Sequence, residues 1–296
     1  MSGDMPEIVS NGLTLHYDTF GDSRDPAVLL VMGLGTQMIA WRTEFCESLA
    51  SLGLHVIRFD NRDVGLSTKI HGAPVPSIAR TLLLRTWGAA RPAYTLSDMA
   101  RDAVGVLDGL AIRAAHVVGV SMGGMIAQTL AIEHRSRTLS LTSIMSSPGD
   151  YRLPPPTQAA RAMLLRPVPR TRDQALDQVV ELFRVIGSPK HFDEARIRAR
   201  AAESYDRSSY RLGTARQLDA ILSSPPRSPA LRTLEIAATV VHGALDPLVP
   251  IAHGRATASA IPGADLRVID DLAHDLPEAH WPALIDAISK TIERAA

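Results

Sequence analysis

The chain lacks the features that define several protein classes. It has one cysteine in 296 residues, Cys46, which excludes an intramolecular disulfide and a cysteine-rich zinc site. It has no charge excess, since 31 Lys+Arg balance 31 Asp+Glu. That argues against a general nucleic-acid binder, whose affinity rests on a basic face. It has no long apolar run near its start: Ala27–Met32 is far short of the roughly 20 residues of a membrane span. No basic segment leads into an apolar one, so no signal peptide is expected and a cytoplasmic protein is the default. Internal repeats are also missing, which sets aside solenoids and propellers.

What is present is ordinary for a globular protein: 46% apolar and 21% charged residues. The length permits two domains or one large α/β domain, and a chain this long buries roughly 75% of its unfolded surface without staples. Cys46 sits among Trp41, Phe45, Leu49 and Leu52, which fall at helical spacing. It reads as a small buried helix residue rather than a nucleophile.

Short apolar runs recur at Ala27–Met32, His55–Phe59, His116–Val120, Leu139–Met145 and Ala238–His242. Their lack of polar alternation marks strands buried on both faces, as in a parallel sheet covered by helices. Helical patterns lie between them. One spans Trp41–Leu52 and stops at Gly53; another starts at the capping-box-like Thr95-Leu96-Ser97-Asp98 and runs toward Leu110. This alternation predicts a doubly wound α/β fold with right-handed crossovers. Leu13–Phe20 alternates instead and reads as an antiparallel edge strand or hairpin.

From about Gly149 to Glu235 the rhythm breaks. Proline clusters at Pro154–Pro156 and Pro225-Pro226 punctuate both ends, with helical patterns near Thr171–Ile186, Asp193–Asp206 and Arg211–Leu222. We expect a core of residues 1–148 and 236–296 and a helical cap or lid of residues 149–235. The lid carries a net charge of +5, leaving −5 on the rest. Solvated helix faces account for this, and a lid that attracts anionic substrates is the sharper alternative. A second stretch, His71–Tyr94, contains Leu82-Leu83-Leu84 and Trp87 and is a candidate pocket wall.

Gly119-Val120-Ser121-Met122-Gly123 fits the G-x-S-x-G nucleophile elbow. The pentapeptide alone is weak, but it directly follows a buried strand and opens a helical stretch. A serine held in such a tight turn needs neighbours without a Cβ. A phosphate-cradling loop is disfavoured, because no Lys-Ser/Thr follows and no G-x-G-x-x-G occurs. A serine nucleophile needs an adjacent base and a group to orient that base. In this arrangement the partners follow in the order Ser, then acid, then His. Asp246 lies just past the strand ending at Gly243 and precedes Pro247, and His274 follows the run Asp265–Asp270. Each sits where a strand's carboxyl end places a functional loop. Asp150 is the rival acid, with Asp270, Asp271 and Asp275 as further candidates; His280 is the rival base, and His242 reads as a core or near-site histidine. Two backbone N–H groups must receive the oxyanion. Met122 follows the serine, and Leu34 lies in the Gly33-Leu34-Gly35 loop after the first buried strand. Gly33 and Gly35 are also candidate pocket residues.

These segments resemble the α/β-hydrolase fold. The resemblance rests on Val31–Gly35, Arg58–Ser67, Gly119–Gly124, His242–Asp246 and His274. Within the esterase–lipase, haloperoxidase and proline-iminopeptidase group, the chain is most similar to carboxylesterases with an M-G-x-G oxyanion loop, the aclacinomycin methylesterase-like enzymes among them. Two departures stand out: Met32-Gly33 where many relatives have His-Gly, and Arg62-Asp63-Val64-Gly65 where many have Arg-Gly-x-Gly. The resemblance implies a serine esterase with Ser121, Asp246 and His274 as its triad and Leu34 and Met122 as oxyanion donors. It also implies a small-molecule ester substrate and calls for no metal or organic cofactor. A cofactor-free haloperoxidase or perhydrolase on the same residues, and a non-enzymatic ligand receptor, stay open, as does a homodimer.

Overall fold

The computed structural model describes residues 6–73 and 92–296. Four strands lead the chain: β1 (Glu7–Ser10), β2 (Leu13–Phe20), β3 (Ala27–Val31) and β4 (His55–Phe59). Four more follow: β5 (Ala115–Val120), β6 (Thr138–Ile144), β7 (Ala237–Gly243) and β8 (Asp265–Ile269). They form one sheet in the order β1-β2-β4-β3-β5-β6-β7-β8, antiparallel at the first two pairings and parallel thereafter. The strand order reverses between β3 and β5, which is where open α/β sheets bind ligands.

The buried runs behave as their composition demands. Every residue of β3, β4 and β5 is buried. Along β3, Ala27, Leu29 and Val31 enter one apolar cluster, while Val28 and Leu30 enter another. The first cluster is closed by α2 (Leu96–Gly109) and α3 (Met122–Glu133), the second by α1 (Thr43–Ala50) and the C-terminal helix. Helices therefore cover both faces, and alternate residues of each strand feed opposite cores. Thr95 caps α2 in a complete capping box with Asp98.

One helix is shorter than its spacing predicts. Trp41 closes a 3₁₀ turn (Met38–Ala40), and α1 begins only at Thr43. Trp41 still stacks on Phe45, with ring centroids 5.3 Å apart, but Leu52 lies past the helix end and is exposed. Cys46 is buried within α1, and burial pushes its thiol up to about 12, which leaves it inert as a nucleophile.

Between β6 and β7 the described residues form helices and no strand. These are α4 (Gln158–Leu164), α5 (Arg172–Ile186), α6 (Glu194–Arg207), α7 (Arg211–Ser223) and α8 (Ser228–Leu231). After β7 come α9 (Ile251–Ala260) and, beyond β8, α10 (Trp281–Glu293). Among the described residues no helix is long and apolar enough to cross a membrane. Trp87 and Leu82–Leu84 lie outside the described residues.

Candidate active site

Ser121 stands at the end of β5 in a conformation that few side chains tolerate, with φ 56° and ψ −119°. A positive φ at a non-glycine residue is strained and must be held by its surroundings. Here the Ser121 N–H donates to Ile144 O at 2.9 Å, and the Ser146 hydroxyl donates to Ser121 O at 2.7 Å. The flanking glycines are required by contact. A Cβ on Gly119 would overlap the Gly123 carbonyl, and one on Gly123 would overlap the Val31 carbonyl. The turn is thus packed against both its own helix and β3.

The structure brings Ser121, His274 and Asp246 into one hydrogen-bonded chain. His274 Nε2 lies 3.0 Å from Ser121 Oγ, and His274 Nδ1 lies 2.6 Å from Asp246 Oδ2. The other carboxylate oxygen of Asp246 accepts the N–H groups of Leu248 and Val249 at 2.9 and 2.8 Å. This local turn aims the carboxylate. His274 is 9% exposed and Asp246 5%, so the chain is shielded from water along most of its length.

The other candidates go elsewhere. Asp150, half-buried, pairs with the exposed Arg152, whose hydrogen bonds hold its carboxyl at about 2. Asp275 is bound by the Ser188 N–H and hydroxyl at 3.0 and 2.5 Å. Asp270 is exposed. His280 and Asp271 meet each other, with Nε2 3.1 Å from Oδ1. His242 is fully buried, with Nε2 donating to Val249 O at 2.7 Å and lying 3.6 Å from Asp246 Oδ2. Burial pushes its basicity down despite that carboxylate.

The loop after β3 lies against the serine. A methyl added to Gly33 would sit 3.3 Å from Ser121 Cβ and 3.8 Å from Ser121 Oγ. Thr36 N–H donates to Gly33 O at 3.2 Å across a β-turn with Gly35 at φ 63° in its third position. Leu34, half-buried, occupies the second. On the other side Met122 opens α3, whose first N–H groups have no acceptor within the helix, and Ser121 makes no capping bond to them. Two backbone amides of this kind can stabilise a negative oxygen beside the serine.

The groups that hold this loop lie far from it in sequence and leave no local signal. Asn61 Nδ2 donates to Met32 O at 3.0 Å, and Gln217 of α7 accepts the Gly35 N–H at 2.8 Å while donating to Arg62 O. Arg207 and Arg216, on α6 and α7, pair with the buried carboxylates of Asp60 and Asp63 at 2.7 and 2.8 Å. Nearer the surface, Lys190 pairs with Asp271, and Arg196 and Arg200 pair with Glu278. The opposite net charges of the intervening helices and the rest of the chain therefore meet across their interface. The cations engaged there are withdrawn from any role in attracting an anion.

A family model described as alpha/beta hydrolase fold matches residues 26–280. The chain is 30% identical to rhodomycin D methylesterase of Streptomyces peucetius, covering 95% of each chain. It is 31% identical to the rhodomycin D methylesterase of Streptomyces sp. (strain C5), again over 95% of each. Among solved structures it resembles the enol-lactonase of Burkholderia xenovorans LB400, with a TM-score of 0.75 at 23% identity, covering 97% of this chain and all of that one.

Proposed function

Because the chain belongs to the alpha/beta hydrolase fold family and is a hydrolase of esterase type, we propose that it cleaves carboxylic esters through an acyl-enzyme on Ser121. His274 Nε2 takes the hydroxyl proton as Ser121 Oγ attacks the ester carbonyl, and Asp246 holds the imidazole in the required tautomer. The N–H groups of Leu34 and Met122 receive the oxyanion. As the tetrahedral intermediate collapses, His274 returns the proton to the departing alcohol. Water, deprotonated by the same imidazole, then attacks the acyl-enzyme and releases the acid. The observation that carries this reading is the unbroken chain from Ser121 Oγ through His274 to Asp246, at 3.0 and 2.6 Å, starting from a strained elbow beside the turn of β3.

Residues 149–235 serve in this proposal as a cap on a core made of residues 1–148 and 236–296. Two contacts support it: His274 N–H donates to Ile186 O at 2.8 Å, and Gln217 holds Gly35. The cap thereby touches both the base-bearing loop and the oxyanion loop. The relatives' activity as methylesterases favours a methyl ester as substrate. A panel of methyl, ethyl and longer alkyl esters of bulky acids tests both points. Faster turnover of the methyl esters, abolished in Ser121→Ala, is expected. Wild-type rates in Ser121→Ala would falsify the mechanism, and a preference for long-chain alcohols would remove the substrate class alone.

A further inference from the structure

Away from the serine, three donors converge from separate segments. His191 ends the 3₁₀ turn (Pro189–His191) that links α5 to α6. Asp271 follows β8, and His280 ends the 3₁₀ turn (Glu278–His280) before α10. His191 Nε2 lies 3.6 Å from Asp271 Oδ2, and His280 Nε2 lies 3.1 Å from Asp271 Oδ1. The two imidazoles stand edge to face, with centroids 4.9 Å apart. Both Nε2 atoms are buried, and neither has a hydrogen-bond partner. A buried polar atom left without a partner is costly and calls for an explanation. Two such nitrogens beside one carboxylate make a donor set that a cation would complete.

We propose that His191, Asp271 and His280 bind a divalent transition-metal ion of the Zn2+ class. The donor atoms all lie within 4.8 Å of one another. A tetrahedral ion with metal–nitrogen bonds of about 2.0–2.1 Å sets its ligand atoms about 3.3 Å apart. The nitrogen-to-oxygen distances, 3.6 Å from His191 to Oδ2 and 3.1 Å from His280 to Oδ1, lie on either side of that spacing, one at each carboxylate oxygen. Imidazole and carboxylate donors suit zinc better than calcium or magnesium, which prefer oxygen alone. Water completes the shell. Lys190 Nζ, 3.0 Å from Asp271 Oδ2, competes for the same carboxylate. Its side chain is 73% exposed, so it can turn into solvent at little cost.

The ion ties the α5–α6 connection to the loop that carries His274, three residues after Asp271. That connection already grips the loop: the Ser188 hydroxyl accepts the Ala273 N–H at 2.9 Å and reaches Asp275. The ion is a clamp between these segments and takes no part in the proton transfers at Ser121.

The test is a Zn2+ titration of the full-length, chelator-stripped protein against a chromogenic competitor, with thermal midpoints recorded alongside. One zinc per chain is expected, with the midpoint raised by roughly 5 °C at a hundredfold excess over Kd. Co2+ in its place should give visible absorption bands of a tetrahedral site. His191→Gln and His280→Gln should each weaken binding by at least about tenfold, with metal-free midpoints close to wild type. Lys190→Ala should tighten binding, which no loss of folding could mimic. Absence of stoichiometric zinc in the wild type, or binding indifferent to all three substitutions, overturns the proposal.

Discussion

Gln217, buried in the middle of α7, accepts the backbone N–H of Gly35 at 2.8 Å and donates to Arg62 O at 2.8 Å. One side chain thus pins the turn beside Ser121 to a loop after β4. A donor that must meet a developing oxyanion works only if its backbone is already in place, and a misplacement of an ångström can cost a hundredfold. Gln217→Ala is therefore expected to lower kcat about tenfold on a methyl ester, with little change in KM. Steady-state kinetics together with a thermal midpoint separate positioning from unfolding. An unchanged kcat in a folded variant would show that the turn holds itself.

Asp63 explains one of the two departures from the family pattern. It stands at φ 69°, a left-handed backbone that favours glycine, and such a backbone costs a non-glycine residue of order 1 kcal/mol. Its carboxylate accepts Arg216 Nε and Nη2 at 2.8 and 3.0 Å, with both side chains buried. Burial raises the carboxyl's pKa, but the guanidinium and the Ile70 N–H overcome this and leave it below its ordinary value. Removing one partner of a buried pair strands the other, at a cost of about 3 kcal/mol. Asp63→Asn should lower stability by about that much. Asp63→Gly should lose less, since it relieves the strain. Denaturant melts rank the two, and equal losses would remove strain from the account.

The fold was legible where burial is local. The runs at β3 to β7 are apolar on both faces because the sheet is covered twice, and Ser121, Asp246 and His274 each follow a strand whose composition announces it. Alternation at Leu13–Phe20 marked β2, whereas β1 was not located. Asn11 and Gly12, at φ 51° and 76°, form the turn between these strands, and the Asn-Gly pair was the available signal. The ties between the helices that follow β6 and the loops beside the sheet were not legible. Gln217 and Gly35 are separated by 182 residues and Arg216 and Asp63 by 153, and neither pair leaves a periodic trace. Asp60 and Asp63 were visible only as parts of a loop motif, with no indication of which cations they receive.

Three buried histidines, His55, His116 and His242, have lowered pKa values and set an acid limit on stability. His116, 6% exposed with Nδ1 2.8 Å from Ser140 Oγ, and His242, fully buried, both have lowered pKa values because burial disfavours the charged ring. In the unfolded chain each titrates near the ordinary 6.5. The unfolded state therefore binds more protons as pH falls below that value. Their contribution is fully present above about pH 6.5 and is lost as pH falls toward the depressed folded values, at about 1.4 kcal/mol per pH unit for each ring. Thermal midpoints should be flat from pH 7 to 8 and decline below 6.5. His116→Asn, which keeps a partner for Ser140, should make that decline shallower by one proton's worth. A midpoint that rises on acidification would reverse the sign and refute the assignment.

Asp246 offers the sharpest separation of geometry from chemistry. Its Oδ1 accepts two backbone N–H groups from its own turn, while Oδ2 faces His274 Nδ1. In Asp246→Asn the amide oxygen can keep the turn, so the loop should stay folded. The amide NH2 then points at Nδ1 as a donor, which forces the proton of the neutral imidazole onto Nε2. That nitrogen can no longer accept from Ser121. A loss of about 10⁴ in kcat is expected, with KM and thermal midpoint near wild type. Asp246→Ala should lose the turn as well, lowering stability along with rate. Substantial kcat in Asp246→Asn would place the orienting acid elsewhere. Asp150 is a poor substitute for that role, because Arg152 already holds its carboxylate.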